Sequence, residues 1–298
     1  MRIGIDLGGT KIEIIALDAQ GQILHRQRTA TPAGDYRATV QTIYELVSTT
    51  EQLLGKQGSV GIGIPGALSP ASGVVKNANS TCLIGQPLDK DLQQALSRPV
   101  RISNDANCFA VSEAIDGAAA HANVVFGVIL GTGVGGGIVI NGQPLTGPNA
   151  IAGEWGHNPL PWPDTSEQQS DCYCGRFGCI ETWLSGPGLS AAHHARFGKS
   201  LSAKEIVTLS EQGDAAATKS LERYEDRLAR SLASVINILD PNVIVLGGGL
   251  SNISRLYQNV PKLWSKYIFS DRVDTRLVEN LHGDSSGVRG AAWLWPNQ

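Results

Sequence analysis

One short pattern occurs twice in this chain. Arg2–Leu7 reads as a strand, Gly8-Gly9-Thr10-Lys11 as a turn, Ile12–Leu17 as a second strand, and Gln22–Thr29, after a turn ending at Gly21, as a third. Val124–Leu130, the glycine turn Gly131–Gly137, Ile138–Ile140 and the Asn141-Gly142 hairpin turn repeat that order. Duplication on this scale predicts two similar domains facing each other across a cleft. A length of 298 residues agrees, since about 150 residues per domain is the usual measure.

Between the repeats the pattern changes. Asp35–Leu54 has helical spacing of Val40, Ile43, Leu46, Val47, Leu53 and Leu54 and stops at Gly55, a helix-ending residue. A strand at Ser59–Ile64, a loop from Pro65 to Thr81 rich in Pro, Gly, Ser and Asn, and a helix at Asp89–Leu96 follow. Val100–Ser103 is a strand and Asn104–Ala114 a helix. Residues 154–179 form an insertion rich in Pro, Gly and Cys. Pro187–Leu239 is helical, with Asp214–Leu239 the longest helix; Asn242–Leu246 is a strand running into Gly247-Gly248-Gly249, and Val288–Leu294 closes the chain as a helix. The whole is an α/β chain.

Composition excludes several classes. Lys+Arg 24 against Asp+Glu 27, with no run of five like charges, gives no footprint for nucleic acid or an anionic membrane. The longest apolar stretches, at 123–130 and 242–246, are strand-sized, far short of the ~20 residues of a membrane helix. Residues 1–7 carry Asp6 and lead into a glycine turn, which is not a signal-peptide pattern. Five cysteines, an odd count, argue against a disulfide framework, and a cytoplasmic protein is the expectation.

The glycines carry the first chemistry. Gly131-Thr-Gly133-Val-Gly135-Gly136 contains G-x-G-x-x-G, but a dinucleotide site needs a helix after it, and here a strand and hairpin turn follow. Gly4–Lys11 resembles a phosphate loop, yet its order is G-T-K and a strand again follows. The remaining reading is a pair of glycine-tipped hairpins whose backbone N–H groups form anion-binding nests. Gly8, Gly9, Gly131 and Gly133 let phosphates approach the backbone, Thr10 and Thr132 add hydroxyls, and Lys11 adds a positive charge. Gly247, Gly248 and Gly249 stand between a strand and a helix capped by Ser251 or Asn252, where the adenosine half of a nucleotide fits.

Three cysteines fall within eight residues. In an extended segment Cys172 and Cys174 point to one side, and the turn Gly175–Gly178 returns Cys179, so the three can share one metal ion. Cys82 and Cys108 read as small buried hydrophobes. Asn104-Asp105 lies where a strand meets a helix and serves equally as a helix cap or as a polar site.

Ile5-Asp-Leu-Gly-Gly-Thr-Lys11, Gly131–Gly137, Gly153-Glu-Trp-Gly-His157 and Cys172-x-Cys-Gly-x-x-Gly-Cys-x-Glu181 resemble the ROK family of sugar kinases and repressors, essentially end to end. Glu154–Trp162 and His282–Trp295 look most like bacterial fructokinases; N-acetylglucosamine kinases share Gly131–Gly137 and look less similar in those two stretches. The resemblance implies an actin/hexokinase-like fold of two ribonuclease-H-like domains with a central cleft and a zinc-binding insertion, often as a homodimer. It implies a smaller lobe of residues 1–117 with a C-terminal helix at about 286–298. The larger lobe, 118–285, would hold the second phosphate loop, the insertion 154–181 and the adenosine loop.

Its implications for the site are specific. Asp105 is the expected general base and Asn104 a sugar ligand, joined by Glu154, His157 and Glu181, with Asn77 and Asn79 also facing the sugar. His157 completes a structural zinc site with Cys172, Cys174 and Cys179, leaving histidines 25, 121, 193, 194 and 282 as surface or packing residues. ATP and the sugar are the expected partners, with Asp6 near a catalytic Mg2+. The expected reaction is phosphorylation of the 6-hydroxyl of fructose, and of mannose too, with glucose or N-acetylglucosamine as the alternative. A sugar-responsive repressor is disfavoured because no basic helix precedes Arg2, and an actin-like ATPase because of the cysteine insertion.

Overall fold

The computed structural model describes residues 1–78, 80–167 and 170–295. Asn79, expected on the sugar loop, and the last three residues of the expected C-terminal segment lie outside the described residues. The chain forms two compact units. One comprises Met1–His121, Gly137–Ala152 and the residues from Leu281 on; the other comprises Ala122–Gly136 and Gly153–Asn280.

The first unit is built on β1 (Arg2–Leu7), β2 (Lys11–Leu17), β3 (Ile23–Ala30), β4 (Ser59–Ile64) and β7 (Val100–Asn104), in the order β3-β2-β1-β4-β7. The β1–β2–β3 part is antiparallel and β1–β4–β7 parallel, with Asp6 opposite Gly63. Helix α1 (Tyr36–Leu54) starts where Asp35 accepts the Ala38 N–H and ends at Gly55 in the left-handed region. Its buried stripe is Thr39, Ile43, Leu46, Val47 and Thr50; Leu53, expected on the core face, is 65% exposed. The loop after β4 contains a small hairpin of β5 (Ala67–Leu68) and β6 (Val75–Lys76), followed by α2 (Leu88–Leu96).

Helix α3 (Asp105–Ile115) follows β7 directly. Late in the chain α9 (Ser286–Ala292) returns to pack on β1, β2, β4 and α3. The approach is backbone-close: a Cβ on Gly61 would lie inside the Ala291 carbonyl, and one on Gly290 inside the Cys108 carbonyl. The fully buried carboxylate of Glu113 fixes this return, accepting from Leu281 N at 3.0 Å, Ser286 Oγ at 2.8 Å and Ala118 N at 2.9 Å.

The second five-stranded sheet repeats the order of the first. Its strands are β8 (Val124–Leu130), β9 (Val134–Ile140), β10 (Gln143–Pro144), β11 (Val243–Gly247) and β12 (Arg276–Glu279), arranged β10-β9-β8-β11-β12. The registers match as well: Ile129 stands opposite Gly247 as Asp6 stands opposite Gly63. These two sheets are the ribonuclease-H-like halves of the actin/hexokinase-like fold.

The glycine turn is shorter than its sequence implied, because β9 begins at Val134. Gly136 lies inside the strand, where a Cβ would meet Trp155 at 2.7 Å, so this glycine serves packing and not turning. Among the helices α4 (Glu181–Leu184), α5 (Gly186–Phe197), α6 (Ala203–Glu211), α7 (Ala215–Leu239) and α8 (Arg255–Trp264), the longest is α7, capped by Asp214. The helix after Gly247–Gly249 starts later than expected. Ser251 Oγ and Asn252 Nδ2 donate backward to the carbonyls of Gly248 and Gly249, so a 3-10 turn at Gly249–Asn252 replaces a forward cap. Strand β12 gave little sequence signal, since only Leu277 of its four residues is buried.

Candidate active site

In the first unit, β1 and β2 carry the Gly8–Lys11 tip. The Gly8 N–H is spent on the Lys11 carbonyl at 3.0 Å, closing the hairpin, so of the residues expected to hold phosphate Gly8 already has its N–H committed. Thr31 braces the loop from β3, its hydroxyl donating to Gly8 O at 2.8 Å and its N–H to Thr10 O at 3.1 Å. Sequence reasoning missed Thr31, although a hydroxyl residue before Pro32 at the end of a strand is a usable signal.

Asp6, at the end of β1, and Asp105, at the start of α3, act on one another. The Asp6 carboxyl is pushed up to about 6, first by burial, then by the negative charges of Asp105 and Glu13, against the pull of Lys11 and Arg28. Beneath them lies Cys108, fully buried, its thiol raised by burial and then by Asp6 and Asp105. Carboxylates crowded this way favour a cation between or beside them, so the donor set fits Mg2+.

Asn104 is a helix cap in fact. Its Oδ1 accepts from Ala106 N at 2.9 Å while its Nδ2 donates to Gly66 O at 3.2 Å, and Asp105 Oδ1 takes the same Ala106 N–H at 2.8 Å. Capping fixes the backbone from which Asp105 projects, and Asp105 itself is exposed. Gly66, which ties the Pro65 turn to Asn104, was also missed. Asn77 is exposed and holds a positive φ of 56°.

In the second unit the tip is Gly131-Thr132-Gly133, closed by Gly131 N–H donating to Gly133 O at 3.0 Å. Glu181 Oε2 accepts the Val134 N–H at 2.9 Å, and the Gly186 N–H donates to Gly131 O at 2.8 Å. This hairpin is therefore braced by α4 and the start of α5. At Gly133 a Cβ would stand 2.7 Å from Glu181 Oε2, so the loop carboxylate and the bare glycine are matched. Gly247 ends β11; Gly248 and Gly249 are exposed just beyond it. Glu154 is exposed and precedes the short 3-10 turn Trp155–His157.

The ligand atoms of His157, Cys172, Cys174 and Cys179 all lie within 4.8 Å of one another. Residues 172–175 form a turn, with Gly175 N–H donating to Cys172 O, so the thiols converge by turning and not by strand alternation. Cys174 Sγ stands 3.7 Å from Cys179 Sγ, and Cys172 Sγ stands 3.6 Å from His157 Nδ1. A tetrahedral zinc with bonds of about 2.3 Å to sulfur and about 2.0–2.1 Å to nitrogen puts those pairs at ~3.8 Å and ~3.6 Å. The four residues fit zinc in number, type and spacing. The other ring nitrogen of His157 lies 3.1 Å from the hydroxyl of Tyr173, an exposed residue inside the cysteine motif that sequence reasoning passed over.

Comparison with known proteins agrees with this geometry. Residues 2–298 match the model of the ROK family. An N-acetyl-D-glucosamine kinase of Salmonella gallinarum is 42% identical over 299 residues, covering 99% of both chains. Among solved structures, a ROK hexokinase from Thermus thermophilus superposes with a TM-score of 0.87 at 29% identity, over 98% of this chain and 97% of that one. A ROK family glucokinase from Streptomyces griseus, in complex with glucose and AMPPNP, gives 0.75 at 27% identity over the same shares. The chain belongs to the ROK family, among its sugar kinases. No helix among the described residues is long and apolar enough to cross a membrane.

Proposed function

We propose that this protein transfers the γ-phosphoryl group of ATP to the 6-hydroxyl of an amino sugar, N-acetylglucosamine. The observation that carries the choice of sugar is the 42% likeness, end to end, to N-acetyl-D-glucosamine kinases. It outweighs the two stretches, Glu154–Trp162 and His282–Trp295, whose resemblance favoured fructose; fructose stands as the second reading on those stretches alone.

Asp105 takes the proton of the attacking hydroxyl, whose oxygen bonds the γ-phosphorus as the bridge to the β-phosphate breaks. Phosphoryl transfer needs positioning and charge neutralisation more than covalent help, so one oriented carboxylate suffices. Asn104 holds that carboxylate's backbone and offers its amide edge to the sugar. Glu154 and Glu181 receive sugar hydroxyls, carboxylates being acceptors suited to polyols, while His157, with Nδ1 toward the cysteines, would reach the sugar only as an N–H donor through Nε2. Gly9, Thr10 and Lys11 on the first hairpin, and Thr132 and Gly133 on the second, each offer N–H and hydroxyl groups suited to phosphate, and Gly247–Gly249 are suited to the adenosine. Mg2+, held by Asp6, supplies neutralising charge when bound. His157, Cys172, Cys174 and Cys179 would hold a zinc ion, which would fix the loop from which Glu154 and Glu181 project. The working form is a cytoplasmic homodimer without a nucleic-acid partner.

The test is ADP release against N-acetylglucosamine, fructose, mannose and glucose. The highest kcat/KM on N-acetylglucosamine supports this reading; a higher value on fructose restores the second one.

A further inference from the structure

The second unit holds a cavity of about 390 Å³ that the roles above leave unused. One wall is the small-residue face of α5, with Gly188, Ala191, Ala192 and Ala195; the other presents Arg223 and Arg227 of α7, with Arg196 from the end of α5. Arg227 is 3% exposed, stacked 4.4 Å from the Trp183 ring centroid, and its Nε donates to Glu167 at 2.7 Å. Arg230 uses the same carboxylate at 2.9 Å, and Arg223 stands 3.8 Å from it. One buried carboxylate thus serves three guanidinium groups. Asp164 and Asp226 approach Arg223 and Arg230 from outside, at 3.7 Å and 3.0 Å, but among the described residues the lining of the cavity includes no acid. Arg196 adds a further positive charge to it.

We propose that this cavity binds a sugar-sized phosphomonoester, its oxyanion held by Arg196, Arg223 and Arg227 and its carbon skeleton laid on the alanine face of α5. Guanidinium forks match the oxygens of a phosphate, and the hydroxyl of Ser170 supplies a further donor. The volume lies in the range of small-molecule pockets, well beyond a bare phosphate. Occupancy would also reach the sugar site. Thr182 follows Glu181 in α4, and its hydroxyl donates to Cys179 O at 2.8 Å, so an occupant presses on the turn that joins a zinc ligand to a sugar ligand. That regulatory consequence rests on the kinase reading; the binding site does not.

Titration calorimetry of the whole chain with glucose 6-phosphate and with inorganic phosphate tests this. The wild type should bind the sugar phosphate at least about tenfold more tightly than inorganic phosphate. Arg196→Ala and Ala192→Glu should each weaken it about tenfold or more, the scale of a lost charged hydrogen bond. Absence of binding overturns the site, and equal affinity in the wild type and both variants places the anion elsewhere. Equal affinity for the two ligands overturns the role of the alanine face. Turnover of Arg196→Ala without added phosphosugar should equal that of the wild type. Failure of the kinase reading shows separately, as absence of sugar phosphorylation by the wild type.

Discussion

The two glycine hairpins begin from the same plan and are used differently. In the first, Asp6-Leu7-Gly8 ends β1 and faces Gly63; in the second, Ile129-Leu130-Gly131 ends β8 and faces Gly247. The carboxylate of one half is an aliphatic side chain in the other. The first tip is braced by a threonine hydroxyl from its own sheet, the second by Glu181 and the N–H of Gly186 from inserted helical structure. Duplication supplied two backbone hairpins; one carries a buried carboxylate, and the other is tied to α4 and α5, next to the cysteine cluster.

The largest effect that difference predicts is at Asp105. Asp105→Asn keeps an acceptor for the Ala106 N–H, and Asn104 still caps α3, so the fold should hold while kcat falls about 10²–10⁴-fold, the usual contribution of a general base. Nucleotide binding, measured by fluorescence titration, should change little. Retained turnover would mean that the first half does not carry the chemistry.

Next comes the metal. Cys179→Ser, or removal of zinc by a chelator, should lower the melting temperature by several degrees and raise the sugar KM together, leaving the nucleotide KM nearly constant. The paired change matters, because Cys179 precedes α4 and Glu181 by only two residues. Verified zinc loss with an unchanged sugar KM would separate the second hairpin's brace from the metal.

A smaller effect compares the tips directly. A Cβ on Gly9 meets Ser80 Oγ at 3.4 Å, an ordinary contact, whereas one on Gly133 meets Glu181 Oε2 at 2.7 Å. Gly133→Ala should displace Glu181 and cost about 1–3 kcal/mol of the hydrogen bond to Val134, with a raised sugar KM. Gly9→Ala should be milder in stability and should affect nucleotide KM instead. Equal behaviour of the two variants would erase the distinction between the halves.

Sequence reading recovers this molecule unevenly, for physical reasons. Strands such as Ser59–Ile64 and the helix from Tyr36 to Leu54 are legible because alternation, caps and the Gly55 stop agree. Strand β12 is not, because four residues with one buried side chain carry no periodicity. The cysteines announce a metal, yet the turn that gathers them differs from the extended geometry their spacing implied. Asn104 caps α3, which is one of the two readings that its place at a strand–helix junction allowed. The role of Glu113 was invisible because its partners, the Leu281 N–H and the Ser286 hydroxyl among them, are brought in from a distant segment.

The smallest predicted effect concerns how the first half is closed by the end of the chain. His282 Nε2 lies 3.2 Å from Asp116 Oδ1, in a cluster that also contains Arg289 and, from α3, Glu113, which accepts the Leu281 N–H. The hydrogen bond to Asp116 raises the His282 pKa above 6.5 against burial and the Arg289 charge. Asp116, in spite of its burial, is held below its ordinary range by hydrogen bonds from His282 and Arg289. A raised histidine contributes its full stability below pH 6.5 and loses it as pH rises through the folded value. Asp116 stays ionised over that interval, and its own contribution is lost only in acid. Melting temperature should therefore fall by about 1–2 °C, on the order of 0.5 kcal/mol, from pH 6.5 upward through the His282 transition. His282→Gln should flatten that slope. The second half contains no corresponding latch among its described residues, so a slope that survives in His282→Gln would have to arise elsewhere, and the C-terminal segment would close the first half by packing alone.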